Sequence, residues 1–267
     1  MYKFGFIGAG NMGGAIAKAV CQKIGGDKII IADAMPEKAT ELANKLGCTY
    51  GDNSDIAKNA EYIVLGVKPQ MMKDVLAGLK GILEERQTPF IIVTMAAGIK
   101  TDFYTEVLGR EYPIIRIMPN MPVSIGMGTT VYCATEKVSE AEKAEFVQAM
   151  EKSGLLAELP EKLIDAASSV SGCGPAFVYM FAESLADGVV KCGLPRDTAL
   201  ELVSHTIIGA GAMIAETGKH PGALKDAVCS PGGTTIEGVH ALEDGGFRGI
   251  VMDAVEAAYL KNFELGK

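Results

Sequence analysis

The chain has 267 residues, 48% of them hydrophobic and 22% charged, and a formal net charge of −8 at pH 7. That length suits one large domain or two medium ones, and the composition is that of a packed, soluble protein rather than a disordered one. The acidic balance, with no cluster of Lys and Arg, excludes a nucleic-acid binder.

The opening residues MYKFGFIG enter a strand at once, with no charged leader, apolar core segment or cleavage site. KFGFI (3–7), KIIIA (28–32), YIVLGV (62–67), FIIVTM (90–95) and PIIRIM (113–118) read as buried strands. Helical patterns lie between them at 11–24, 36–46, 69–83 and 101–109, with Pro36 and Pro69 near helix starts. This alternation predicts an α/β domain, a doubly wound parallel sheet with helices on both faces. TTVYCAT (129–135), a helix at 139–153 and LLAEL (155–159) complete it, so the first domain is expected over 1–160. The longest uncharged run, 117–135, contains Pro119, Pro122, Gly126 and Gly128, a loop-and-strand pattern rather than a membrane span.

Beyond Pro160 the strands stop, and 161–267 is expected to be an all-α domain. Helices are predicted at 163–171, 175–192, 195–217, 221–228, 234–243 and 247–264. Those at 175–192 and 195–217 are apolar nearly all round, so they call for a partner surface, and a second copy of the chain supplies one. There is no internal repeat. The six cysteines (21, 48, 133, 173, 192 and 229) form no C-x-x-C pair and read as reduced thiols of a cytoplasmic protein.

Residues 4–14, FGFIGAGNMGG, place Gly8, Gly10 and Gly13 in a G-x-G-x-x-G between the first strand and the first helix. Asp33 follows Gly13 by twenty residues, at the end of the second strand, which completes the context of a dinucleotide fingerprint. Gly8 permits the tight turn, Gly10 a close approach by the pyrophosphate, and Gly13 close packing of helix on strand. A carboxylate at Asp33 accepts hydrogen bonds from ribose hydroxyls and repels a 2′-phosphate, which favours NADH; otherwise it is a surface residue beside the next helix. VKP (67–69), AAG (96–98) and MPNMP (118–122) follow strand ends, where ligands of doubly wound sheets sit. Lys68 either reaches a ligand there or is merely solvated.

Strong acid–base groups are scarce. His205, in an apolar helix, reads as a core or interface residue, while His220 and His240 have no evident orienting carboxylate, although Glu237 is close to His240 in sequence. No metal-ligand spacing appears. Ser171 and Ser230 lie beside glycines but outside a G-x-S-x-G, so nucleophilic catalysis is not indicated. Such a pocket suits a substrate that is already electrophilic, for example a protonated cyclic imine.

CSPGGTTIEGVHAL (229–242) sets Ser230, Gly232, Gly233, Thr234 and Thr235 at a helix start. Two readings fit: a turn whose Thr234 and Glu237 form a capping box, or a carboxylate- or phosphate-binding site made of helix N–H groups and hydroxyls.

The motifs FIGAGNMG (6–13), VKP, AAG, MPNMP, SGCGPAFVYMFAESLADG (171–188) and LKDAVCSPGGTT (224–235) together give a chain that resembles pyrroline-5-carboxylate reductase over essentially its full length. The resemblance implies reduction of L-1-pyrroline-5-carboxylate to L-proline by NAD(P)H. It also implies a Rossmann domain, a helical dimerisation domain, and homodimers that in this family often build decamers. By position, Ile7, Gly8, Ala9, Gly10, Asn11, Met12, Asn53, Val67, Lys68 and Ala97 would contact the cofactor. Ser230, Gly232, Gly233, Thr234 and Thr235 would hold the substrate carboxylate, and Thr235 would lie near the imine nitrogen as the catalytic hydroxyl. Two positions depart from the family pattern. Asp33 replaces the serine or arginine of many NADPH-using members, and Cys173 stands where many carry serine. A β-hydroxyacid dehydrogenase would need a lysine within 175–190, and there is none; a cofactor sensor without turnover would have no use for SPGGTT.

Overall fold

Six short apolar runs lie side by side because each alternates its side chains between two buried faces. The computed structural model describes the backbone of residues 1–265 and the side chains of these except 263 and 265. In chain order its first elements are β1 (Tyr2–Ile7), α1 (Asn11–Ile24), β2 (Ile29–Ala32), α2 (Pro36–Leu46), β3 (Thr49–Tyr50), α3 (Asn53–Asn59), β4 (Ala60–Leu65), α4 (Met72–Glu85) and β5 (Ile91–Thr94). There follow α5 (Thr101–Leu108), β6 (Ile114–Met118), β7 (Gly128–Ala134), α6 (Glu140–Ala149), β8 (Gly154–Glu158) and α7 (Glu161–Ser171). The chain then runs through α8 (Gly174–Lys191), α9 (Arg196–Thr217), α10 (Pro221–Val228), α11 (Thr234–Asp244) and α12 (Phe247–Leu265).

The strands form one sheet in the order β3-β2-β1-β4-β5-β6-β7-β8. Phe4, Phe6, Ile29, Ile31, Tyr62, Val64, Ile91 and Val93 enter the core shared with α1 and α2, while Ile30, Ile63, Leu65 and Ile92 enter the core shared with α4 and α5. Each such side chain contributes about 1.5–3 kcal/mol by leaving water. Gly5 marks the closest approach, since a Cβ there would stand 2.5 Å from Ile56 Cγ2 of α3.

Two features differ from the sequence expectation. The short β3 and α3 emerge only in the structure: α3 is seven residues long and starts at an Asp52–Asp55 capping box rather than at an apolar stripe. The sheet is also not wholly parallel. β7 runs antiparallel to β6, with Met118 opposite Val131 and Ile115 opposite Ala134, and β8 runs parallel to β7. The last two strands therefore end at the opposite edge of the sheet from β1–β6. α7 leaves β8 there and returns to the edge where β1, β4, β5 and β6 end.

The chain divides into two compact units, 174–257 and the remainder. By packing, α7 goes with the first unit, because its Ile164 is buried against Val131 and Cys133 of β7. Helical periodicity alone does not tell which partner a helix packs on. The last two residues of the expected helical domain, 266 and 267, lie outside the described residues. In the second unit, Ala186, Ala199 and Val203 form a small core between α8 and α9. The rest of these helices is largely exposed within one chain: Tyr179 and Met180 of α8 are 63% and 68% exposed.

Candidate active site

The turn from β1 to α1 is held by backbone hydrogen bonds on both sides. Gly8 N–H donates to Ala32 O at 2.8 Å, and Gly66 N–H donates to Ile7 O at 2.8 Å. Gly8 has φ +113°, and a Cβ there would meet Gly66 O at 2.6 Å. A Cβ on Gly13 would come within 2.2 Å of Gly8 O, so this glycine sets how closely α1 lies on the strand edge. Gly10 differs: it is exposed, nothing lies within 4 Å of its Cβ position, and it is the N-cap of α1 with no side-chain cap. Open backbone at an uncapped helix start is what a pyrophosphate requires. The chain thus fits a dinucleotide on an observed cradle.

The remaining cofactor candidates share that edge. Asn11 is exposed and Ala9 and Met12 are half-buried, but Ile7 is only 2% exposed and its carbonyl already accepts from Gly66 N–H, so it underlies the turn rather than opening to a ligand. Val67 and the exposed Lys68 follow β4, Ala97 follows β5, and Asn53 opens α3 beyond β3. Asp33 is tied to the chain itself. Ala9 N–H donates to its Oδ2 at 2.7 Å and Met35 N–H to its Oδ1 at 2.9 Å. Each oxygen keeps a lone pair for a further donor.

In the second unit, the turn before α11 passes through Gly232 at φ +64°. Gly233 N–H donates to Ser230 O at 3.0 Å, and Ser230 Oγ lies 2.3 Å from the place a Gly233 Cβ would take. The capping-box reading of Thr234 and Glu237 does not hold. Gly233 is the N-cap, in extended conformation, Thr234 is already helical, and no side chain caps α11. The helix thus starts one residue earlier than the Thr–Glu spacing implies. Thr235 is half-buried in the first turn, and Ser230 and Thr234 are exposed.

The histidines have local roles. His220 caps α10 by accepting from Gly222 N–H at 3.1 Å, and His240 Nε2 lies 3.5 Å from Asp244, one turn on, rather than beside Glu237. His205 is exposed within one chain, so it is not a core residue. Among the described residues no cluster of ligands suits a metal.

Two residues gain a role that their motifs did not show, Arg116 within the strand PIIRIM and Asn120 within the loop MPNMP. Arg116, fully buried in β6, pairs with Asp165 (Nη2–Oδ1 2.7 Å) and Glu161 (3.5 Å), one turn apart on α7. Glu161 also accepts from Thr101 N–H and Oγ1–H, at 2.8 and 2.9 Å. An arginine within an otherwise apolar strand was the available signal, since a buried charge needs partners. Asn120, 7% exposed, accepts from Thr129 N–H and donates to Ser171 O, both at 2.8 Å.

The helical half matches the family model described as pyrroline-5-carboxylate reductase dimerisation, over residues 161–265. Residues 3–98 match one described as NADP oxidoreductase, coenzyme F420-dependent. Pyrroline-5-carboxylate reductase of Pisum sativum is 41% identical, covering 99% of this chain and 96% of its own. The Escherichia coli enzyme of that name is 36% identical, covering 99% and 98%. This chain belongs to the pyrroline-5-carboxylate reductase family. It is an NAD(P)H-dependent oxidoreductase. Among solved structures, the Coxiella burnetii member superposes with TM-score 0.91 at 33% identity, covering 100% of this chain and 99% of that one. A Plasmodium falciparum member solved with NADP bound gives 0.88 at 33%, covering 100% and 98%.

Proposed function

We infer that this chain reduces L-1-pyrroline-5-carboxylate to L-proline, the last step of proline biosynthesis. The observation that carries this reading is the unbroken family match over both halves, 99% of the chain against 96% of the Pisum relative. NAD(P)H supplies a hydride to the imine carbon. The chain's own part is to hold the two molecules in register, which is catalysis mainly by positioning. Gly8–Met12 cradle the pyrophosphate, while Val67, Lys68 and Ala97 border the nicotinamide half, with Asn53 beyond β3. Ser230 and Gly232–Thr235 hold the carboxylate through α11 N–H groups and neutral hydroxyls, which need no cation. The Thr235 hydroxyl stands beside the imine nitrogen. The test is oxidation of NADH or NADPH with pyrroline-5-carboxylate, set against 3-hydroxyisobutyrate with NAD⁺; turnover of the second pair alone overturns the assignment.

Asp33 supports NADH over NADPH. Its carboxylate is fixed by two backbone donors at the end of β2, and no arginine neighbours it in sequence. A 2′-phosphate beside it would cost on the order of 1–3 kcal/mol after screening. We expect higher kcat/KM with NADH and a narrowed ratio in Asp33→Ser; a wild-type protein preferring NADPH tenfold overturns this reading.

The assembly we propose is a homodimer through α8, α9 and α12, with a decamer as the larger form. α9 is apolar and long enough to cross a membrane. Its place within the dimerisation match supports a subunit surface instead. Six free cysteines are consistent with a cytoplasmic location.

A further inference from the structure

Ser171 ends α7 with a hydroxyl that the chain does not use. Its Oγ is buried and has no hydrogen-bond partner among the described residues. Several helical serines and threonines elsewhere in this protein return that hydroxyl to a carbonyl three or four residues back. Ser168 and Ser169 do so to Asp165 O, Ser184 to Met180 O, and Thr206 to Leu202 O. Ser171 leaves the same option unused. A buried hydroxyl without a partner is costly, so its place in the fold calls for a ligand.

That place is the cofactor edge. The reversal at β7 sends α7 back toward the ends of β1–β6, and Asn120, two residues past β6, meets Ser171 there. The pyrophosphate turn lies on β1 and Asp33 on β2, so the adenosine half lies toward β2 and the nicotinamide half toward β4, β5 and β6. Asn120 spends both ends of its amide on holding this corner, accepting from Thr129 N–H and donating to Ser171 O.

We propose that the Ser171 hydroxyl donates a hydrogen bond to the carboxamide oxygen of the nicotinamide ring, and that Asn120 is the positioning residue that holds Ser171 for it. The carboxamide is the ring's one polar substituent, and fixing it fixes which ring face meets the substrate. The proposal rests on the reading of this edge as the nicotinamide site.

The test is equilibrium binding, by calorimetry, of NADH and of ADP-ribose, which lacks the nicotinamide. With NADPH the matching pair uses 2′-phospho-ADP-ribose. Ser171→Ala should weaken NADH about three- to tenfold, the loss of one hydrogen bond, and leave ADP-ribose within about twofold. Asn120→Asp keeps the acceptor for Thr129 but sets a carboxylate against Ser171 O, so it should show the same selective loss. The double variant should be no worse than the weaker-binding single one, because both act through one hydroxyl. An unchanged NADH to ADP-ribose ratio in Ser171→Ala, or equal weakening of both ligands, overturns the proposal. A normal ratio in Asn120→Asp overturns its positioning role. Wild-type protein that binds neither nicotinamide cofactor overturns this proposal and the site reading together, whereas normal wild-type binding with unaltered variants overturns this proposal alone.

Discussion

Thr235 is where the two readings of the SPGGTT turn part in an experiment. With Gly233 as N-cap, the threonine hydroxyl is not needed to start α11. Thr235→Ala should therefore lower kcat/KM for pyrroline-5-carboxylate by about ten- to a hundredfold, the loss of one or two hydrogen bonds to the substrate. Its melting temperature should fall by only a few degrees, and Thr235→Ser should regain much of the activity. Early melting with normal turnover would make the residue structural. At Asp165 the expectation is reversed. Removing it with Asp165→Ala strips the fully buried Arg116 of its 2.7 Å partner, and the variant should lose about 3–5 kcal/mol in denaturant unfolding.

The glycines of the β1–α1 element separate stability from binding in the same way. Gly13→Ala forces a methyl to within 2.2 Å of Gly8 O and should cost about 1–3 kcal/mol of stability. Gly10→Ala meets nothing within 4 Å, so it should fold like the parent yet bind NAD(P)H poorly, as the methyl occupies the phosphate's approach. Thermal melts with and without cofactor read both effects. This element was fully legible in the sequence because its signals are local: glycine spacing, an apolar run before it and a helical stripe after it. The α1 and α2 bounds agree with expectation for the same reason, each having proline, glycine or periodicity at its ends. The direction of β7 was not legible, since an apolar strand reads alike in either sense. Nor was the affiliation of α7 with the sheet, which depends on Ile164 meeting Val131 and Cys133 far away in sequence. Among site residues, local motifs pointed to the turns, while Asn120 and Arg116 gained their meaning only from long-range partners.

For the whole molecule, the exposed apolar faces decide the state in solution. Leu202 and Ile208 of α9 and Ile250 and Met252 of α12 are more than half exposed in one chain. Together with the dimerisation match over 161–265, these faces call for a partner surface. Light scattering at micromolar concentration should show dimer or larger and no significant monomer; an active, well-behaved monomer would refute the packing argument. Alkaline pH should test the first unit. Burial pushes the thiols of Cys48 and Cys133 up to about 12 and about 11, and the Tyr104 hydroxyl to about 12. The unfolded chain ionises these groups near their ordinary values of 9 and 10, before the folded protein does. Their stabilising contribution is thus fully present below about pH 9 and is lost as pH rises through the folded values. Denaturation midpoints measured from pH 8 to 11 should fall accordingly, and a flat profile would contradict it.

The same division of the chain bears on the order in which the protein is made. The first unit takes its last piece from 258 onward, and Asn262 of α12 donates to Asp165 O and Ser168 Oγ on α7. A ribosome therefore releases the sheet, then a long helical excursion, and only after it the segment that packs on α7. Until that segment emerges, the nascent first unit lacks a piece of its own structure, however early its strands have paired. Stalled chains ending at 257 should be cut within α7 by a protease that leaves the finished protein intact.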